Sequence, residues 1–303
     1  MGAEKKNKME HSFLRSFFLP PFFCQIVFRF RSQKELPMPI VCNQIMRPLD
    51  RDAFGKLSFE AFGDLLAIRK ELGRFFDEKH YKRALALRRS DVLLEEPIRV
   101  THSTFQKTYF LDVLLALGGL LEFKAAEALV PRHKAQLLNY LMLAELKHGM
   151  LINVRPEMMT REFVNNVLCH RDRLQFEIVT EEWEHSVPGA GPFRQILSDI
   201  LQDWGTSLDL GLYEEALTHF FGGKEFVIRP TTVKFNDHVL GPHALPFVTA
   251  NTAFKLSALE DLDSQHQFAI HAQCLVNHAS IEALLWANIG RHRVTLRCLK
   301  PKD

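Results

Sequence analysis

Three residues near the middle of the chain have the types and spacing for one kind of chemistry. Asp112 is followed ten residues later by Glu122 and Lys124 in a Glu-x-Lys step. Two carboxylates supply hard oxygen ligands for Mg²⁺ or Mn²⁺, the ion polarises a phosphate and its own bound water, and a nearby ammonium orients that water. This is what metal-dependent phosphodiester hydrolysis requires. An Asp followed by Glu-x-Lys at such spacing arises by chance about once in 300 residues, so the weight falls on where the elements place it.

The stretch that must position these groups is YFLDVLLALGGLLEFKAAEALVPRHKAQLLNYL, residues 109–141. Its apolar runs, Phe110 to Leu117 and Leu120 to Ala126, have strand length, and Gly118-Gly119 between them permits positive φ. Burying Asp112, Glu122 and Lys124 among such residues is costly unless they pair with one another or with a metal. A two-residue loop at 118–119 would put Asp112 and Glu122 on opposite faces, so the chemistry predicts an odd-numbered turn or a bulge. Pro131 suits the first turn of a helix with an apolar stripe of Leu137, Leu138, Leu141 and Met142. On that helix His133, Gln136 and Tyr140 stand at i, i+3 and i+7, so one face carries all three.

Upstream, Phe59, Phe62, Leu65, Leu66 and Leu72 predict a helix from Ser58 that Gly73 ends. A second helix at about Phe76 to Leu87 places Glu78 and Tyr81 on its apolar face. IRVTHSTFQKTYFL predicts a strand, a turn near Phe105 to Lys107 and the start of the Asp112 strand. After the 131–146 helix, GMLINV reads as a short buried strand and TREFVNNVL as a helix behind it.

LLEFKAAEALVPRHKAQLLNYLMLAELKHGMLINV and, before it, FGDLLAIRKELGRFFDEKHYKRAL resemble the GxxExxY proteins, a bacterial branch of the PD-(D/E)XK nuclease superfamily. Glu78 and Tyr81 fall on the motif's Glu and Tyr, while Phe75 replaces its Gly. The resemblance covers roughly residues 49 to 170. It implies a restriction-endonuclease-like fold, with Asp112 and Glu122 as metal ligands, Lys124 as the catalytic lysine, and Glu78 as an assisting acid. Gln136-x3-Tyr140 is similar to the pair that RecB-type members carry after Glu-x-Lys.

The composition is that of a globular protein: 303 residues, 47% hydrophobic, net charge +2, enough chain for two domains of about 130 residues. So small a net charge gives no global field toward nucleic acid, and any binding surface is a local patch. A run of Arg69, Lys70, Arg74, Lys79, Lys82, Arg83, Arg88 and Arg89 is one candidate, though on helices such runs usually form a solvated face. Cys24, Cys42, Cys169, Cys274 and Cys298 show no CxxC pair, favouring reduced thiols in a cytoplasmic setting. Residues 1–46 read as a disordered or mis-started leader, with Met38 and Met46 as alternative starts. The SFFLPPFFCQIVF core is too short and too broken to span a membrane.

The domain reading is residues 47–172, a linker at 173–192 containing SVPGAGP, and a diverged second copy at 193–303. DWGTSLDLGLYEEAL (203–217) aligns without a gap on ELGRFFDEKHYKRAL (71–85), pairing Gly205 with Gly73 and Tyr213 with Tyr81. Phe254-Lys255 answers Phe123-Lys124 and Ala272-Gln273 answers Ala135-Gln136, whereas Leu210, His243 and Ala253 fall where Glu78, Asp112 and Glu122 stand. The expected architecture is therefore α/β: two tandem restriction-endonuclease-like domains, helices flanking a small mixed sheet, the second without carboxylates for Mg²⁺. His266, His271 and His278 do not share a helix face and form no convincing zinc set. The expected assembly is a monomer whose copies pair about an internal pseudo-two-fold.

Two functions compete. One is a Mg²⁺- or Mn²⁺-dependent nuclease acting on nucleic acid, with the Phe123 carbonyl beside the two carboxylates and His133 near phosphate or water. The other is a non-catalytic module binding nucleic acid or a protein, in which the acids form a buried network with Lys124. No G-x-S-x-G, Walker loop or G-x-G-x-x-G supports another hydrolase class.

Overall fold

The computed structural model describes residues 39–236 and 238–302; the expectations for Cys24, Met38 and the rest of residues 1–38 lie outside them. In chain order the elements are β1 (Ile40–Cys42), α1 (Arg51–Leu72), α2 (Glu78–Arg88), β2 (Val92–His102), β3 (Phe105–Leu115), β4 (Gly119–Lys124), α3 (Pro131–Leu143), β5 (His148–Asn153) and β6 (Thr160–Asn165). There follow α4 (His170–Arg173), β7 (Glu177–Thr180), α5 (Ala190–Trp204), α6 (Leu210–Phe220), α7 (Lys224–Val227), β8 (Ile228–Phe235), β9 (His238–Pro246), β10 (Thr252–Ser257), α8 (Leu262–His278), β11 (Ala283–Ile289) and β12 (Arg293–Leu299).

The first six strands form one sheet in sequence order, antiparallel except for the parallel β4–β5 pair. One face of it carries α1 and α2, whose Phe54, Leu65, Ile68, Tyr81 and Leu85 bury against Val113, Leu121 and Phe123. A second sheet, β10-β11-β12-β7, has a parallel β10–β11 pair and an antiparallel β11–β12 pair, with β8–β9 as a separate hairpin. The mixed α/β arrangement expected from the sequence is present. A shared hydrophobic core joins the halves, with Ile98, Val100 and Phe105 of the first sheet packed in one cluster with Phe193, Trp204, Leu212 and Tyr213.

Local rules explain most boundaries. Asp50 caps α1, accepting the Ala53 N–H at 2.8 Å, and Gly73, at φ 76°, ends it. That start is earlier than Ser58, and the buried stripe is Phe54, Ser58, Ala61, Leu65 and Ile68, while Phe59 is 70% exposed. The face that packs on the sheet mixes the small Ser58 and Ala61 with Phe54, Leu65 and Ile68, so the largest apolar residues alone did not mark it. TREFVNNVL is not a helix: Thr160–Asn165 is edge strand β6, antiparallel to β5. It pairs with β5 along its whole length, from Thr160 opposite Asn153 to Asn165 opposite His148. The hairpin turn falls at Ser103-Thr104, ahead of Phe105. Residues 40–42, inside the predicted leader, pair with β2.

The β3–β4 connection is the odd turn predicted. Val113 pairs with Leu121 and Leu115 with Gly119, leaving residues 116–118 as a three-residue loop. The left-handed residues are Ala116 (φ 48°) and Leu117 (φ 59°), not the glycines. Gly118 and Gly119 serve close approach instead: a Cβ at Gly118 would land on the Arg47 carbonyl oxygen, and one at Gly119 within 2.8 Å of the Phe54 ring. Ala116→Gly should relieve the left-handed strain and raise stability by about 1 kcal/mol, as read by chemical denaturation.

Candidate active site

The three-residue turn sets the register that continues to Asp112 opposite Glu122, so both carboxylates occupy one end of the hairpin. There the strands part, the ladder stops at Val113–Leu121, and Asp112 Oδ2 accepts the Phe123 N–H at 2.9 Å in place of a strand partner. Glu122 is 1% exposed. Its Oε1 accepts from Lys124 Nζ at 2.8 Å, and its Oε2 is buried without a hydrogen-bond partner. Burial, reinforced by the Asp112 charge and opposed by Lys124, pushes the Glu122 carboxyl up to about 7.

From α2, Glu78 Oε1 accepts the Ala125 N–H at 2.6 Å and so lies over the end of β4. One turn on, Tyr81 is buried and its hydroxyl donates to the Gly73 carbonyl at 2.6 Å, tying α2 back to α1. Lys82 reaches into the same cluster, with Nζ 2.7 Å from Asp112 Oδ1 and also bonded to Glu95. Burial works against the Lys124 ammonium, but Glu122, Glu78 and Asp112 outweigh it and raise its pKa above the usual lysine value. Four carboxylates (Glu78, Glu95, Asp112, Glu122) thus surround two ammonium groups (Lys82, Lys124), a formal balance that one divalent cation would neutralise.

Helix α3 supplies the opposite wall. Gln136 donates to the Tyr140 hydroxyl at 2.9 Å, and both line a cleft of about 480 Å³ together with Tyr109, Lys124, Arg132, His133 and Asp209. His133 is buried, and its Nδ1 accepts the Val130 N–H at 3.2 Å, which fixes the proton of a neutral ring on Nε2. Burial, with Lys124 and Arg132 nearby, lowers its pKa and keeps the ring neutral. The structure therefore brings together Asp112, Glu122, Lys124 and Glu78, and places Gln136, Tyr140 and His133 along the adjoining cleft.

Three contributors escaped the sequence. Lys82 was counted in a basic surface run; its signal was the i+4 spacing from Glu78 on the inward face of α2. Glu95 gave no signal, because its role depends on a φ of 53° in mid-strand. Asn153 clamps the chain leaving β4, its Oδ1 accepting from Ala126 N and its Nδ2 donating to Ala126 O. The basic run itself is largely neutralised: Arg74 pairs with Glu157, Arg88 with Glu71, and Arg89 with Asp64 and Asp91.

A bound Mg²⁺ needs only one or two protein carboxylates and keeps several waters. Among the described residues no group of three or more His, Cys, Asp or Glu forms a metal cluster. The pair Asp112 and Glu122 nevertheless fits such an ion, since Glu122 Oε2 is a buried acceptor left without a partner.

In the second half the strand bridge places Phe247 opposite Ala253, so His243, exposed on β9, does not take the place of Asp112. Lys255 is exposed, and Gln273 donates to Asn277 and to the Lys300 carbonyl.

Residues 56–165 match the family model of the PD-(D/E)XK nuclease superfamily, a span from within α1 to the end of β6 that contains every member of the cluster. No curated protein matches the chain. Among solved structures, the crystal structure of SSO0001 is similar to it at 15% identity, over 39% of this chain and 59% of that one, with a TM-score of 0.26. The chain thus spans 59% of that protein's length, and so slight a likeness carries no argument.

Proposed function

We propose that the first half is a Mg²⁺- or Mn²⁺-dependent nuclease and that the second half is a diverged, inactive copy of it. The observation that carries the nuclease reading is the convergence of Asp112, Glu122 and Lys124 at one end of the β3–β4 hairpin, where Glu122 Oε2 is buried and without a partner. An unsatisfied buried oxygen costs about 1–3 kcal/mol, a cost that coordination to a cation would relieve. Asp112, Glu122 and the Phe123 carbonyl would hold the ion, which when bound supplies Lewis acidity toward a phosphate oxygen and an activated water.

The chain's own groups do the rest. Lys124, held by Glu122, is placed to orient the attacking water and to donate toward the phosphate. Gln136, Tyr140 and Arg132 offer donors for phosphate oxygens along the cleft, and neutral His133 offers Nε2–H. Glu78 fixes the end of β4, and with it the direction of Lys124, through the Ala125 N–H.

The tandem reading draws support from shared details beyond the element order, which is α-α-β-β-β-α-β-β in the first half and differs in the second only by the added short helix α7. Tyr213 donates to the Gly205 carbonyl at 2.7 Å, as Tyr81 does to Gly73, and the two glycines share a φ near 75° (75° and 76°). Asn288 on β11 brackets the Leu259 amide and carbonyl after β10, as Asn153 brackets those of Ala126 after β4. With Ala253 and Phe247 where carboxylates would stand, that copy has no hard-oxygen site. The packed halves act as a monomer.

Calorimetric titration of the protein with Mg²⁺ and Mn²⁺, followed by incubation with mixed DNA and RNA substrates, tests the reading. Wild type should bind the ions and cleave. Asp112→Asn should lower Mn²⁺ affinity by on the order of a hundredfold and turnover at least as much. A wild-type protein that binds neither ion at millimolar concentration would overturn the nuclease assignment.

A further inference from the structure

Lys82 is a buried lysine with an unusual pair of partners. It is 7% exposed, and its ammonium lies between Asp112, at 2.7 Å, and Glu95. An ammonium so placed survives only because it is paired. Burial works against its charge, yet the hydrogen bonds to Asp112 and Glu95 outweigh that and raise its pKa.

Glu95 reaches Lys82 through a distorted backbone. It lies mid-strand in β2 at φ 53°, in register opposite Asp112, and the pairing between β2 and β3 is interrupted at this one step. A non-glycine residue in the left-handed region costs about 1–3 kcal/mol and persists where the surroundings impose it. The strain turns the Glu95 carboxylate, half-exposed, onto Lys82. Asp112 is then fixed at both oxygens, Oδ1 by Lys82 and Oδ2 by the Phe123 N–H.

We propose that Lys82 is a positioning residue for the metal centre, a counter-charge that orients the Asp112 carboxylate and is itself drawn away from the ion by Glu95. This inference rests on the metal-dependent reading given above. Lys82 competes with a cation for Asp112 Oδ1 while keeping that carboxylate in the orientation turnover requires. Removing its charge therefore strengthens ion binding and slows cleavage, and removing the Glu95 charge weakens ion binding. A purely structural lysine would weaken both functions together.

The test is Mn²⁺ titration calorimetry, with cleavage rates measured in parallel, on wild type, Lys82→Met, Lys82→Arg and Glu95→Gln. Lys82→Met should bind Mn²⁺ on the order of tenfold more tightly, from the loss of one like charge close to the ion, while its kcat falls by on the order of a hundredfold. Lys82→Arg should retain wild-type affinity, and Glu95→Gln should bind about threefold more weakly without unfolding, its side chain being half-exposed. Weaker binding in Lys82→Met, or equal affinities in Glu95→Gln and wild type, would overturn the proposal. Absence of Mn²⁺ binding by wild type would instead overturn the metal reading itself, and the two failures are distinct.

Discussion

Glu122→Gln should abolish Mn²⁺ binding at millimolar concentration and lower cleavage by on the order of a thousandfold or more, since one change removes a ligand and the anchor of Lys124. The same variant should be more stable than wild type without metal, and increasingly so as pH rises. Burial, with the Asp112 charge beside it, pushes the Glu122 carboxyl up to about 7 in the folded chain, against 4.5 for the ordinary group. A raised folded pKa means that the folded state holds the proton more tightly. Its stabilising contribution is complete below about 4.5 and is lost as pH rises through about 7. Above that pH the ionised form destabilises wild type by on the order of 3 kcal/mol, a burden the neutral amide does not carry. Thermal melts at pH 5 and pH 8 should show the gap between variant and wild type widening at pH 8. Saturating Mn²⁺ should close it from the wild-type side alone, because ion binding compensates the charge. A gap independent of pH would contradict the burial of an ionisable Glu122.

Trp204→Ala should destabilise the protein by about 3–5 kcal/mol, the range for truncating a buried aromatic residue. Trp204 is fully buried, packs against Phe105 and Tyr213, and donates from Nε1 to the Thr101 carbonyl at 2.8 Å. Phe105 and Thr101 belong to the first sheet and Tyr213 to α6, so the deletion opens the core that joins the halves. Wild type should unfold in one calorimetric transition, and Trp204→Ala should melt lower while metal affinity at 25 °C stays near wild type. Two resolved transitions in wild type would mean that the halves unfold independently.

The hairpin and the faces around it were legible in the sequence because alternation and hard-ligand chemistry are both local. Requiring Asp112 and Glu122 on one face was enough to demand an odd turn, and the turn has three residues. The role of Gly118 and Gly119 was not legible, because what crowds them is Arg47 and Phe54, remote in sequence. The α1 stripe went astray for a related reason: which face of a helix with apolar residues all round is buried depends on the sheet beneath it. Lys82 shows the limit most sharply. As a letter it joined a basic run, and only the distorted Glu95 backbone and the reach of Asp112 turn it inward. The sequence likeness of Gly205 and Tyr213 to Gly73 and Tyr81 has a local structural counterpart, since in each pair the tyrosine hydroxyl donates to the glycine carbonyl.

The shared core also has a consequence for biosynthesis. Ile98, Val100 and Phe105 leave the ribosome well before their partners in α5 and α6, Trp204 following Phe105 by roughly a hundred residues. At about 5–20 residues per second that interval lasts roughly 5–20 seconds, during which the nascent first sheet presents an uncovered apolar face. Chaperone demand during synthesis therefore falls on the first half, and is relieved only when the second arrives.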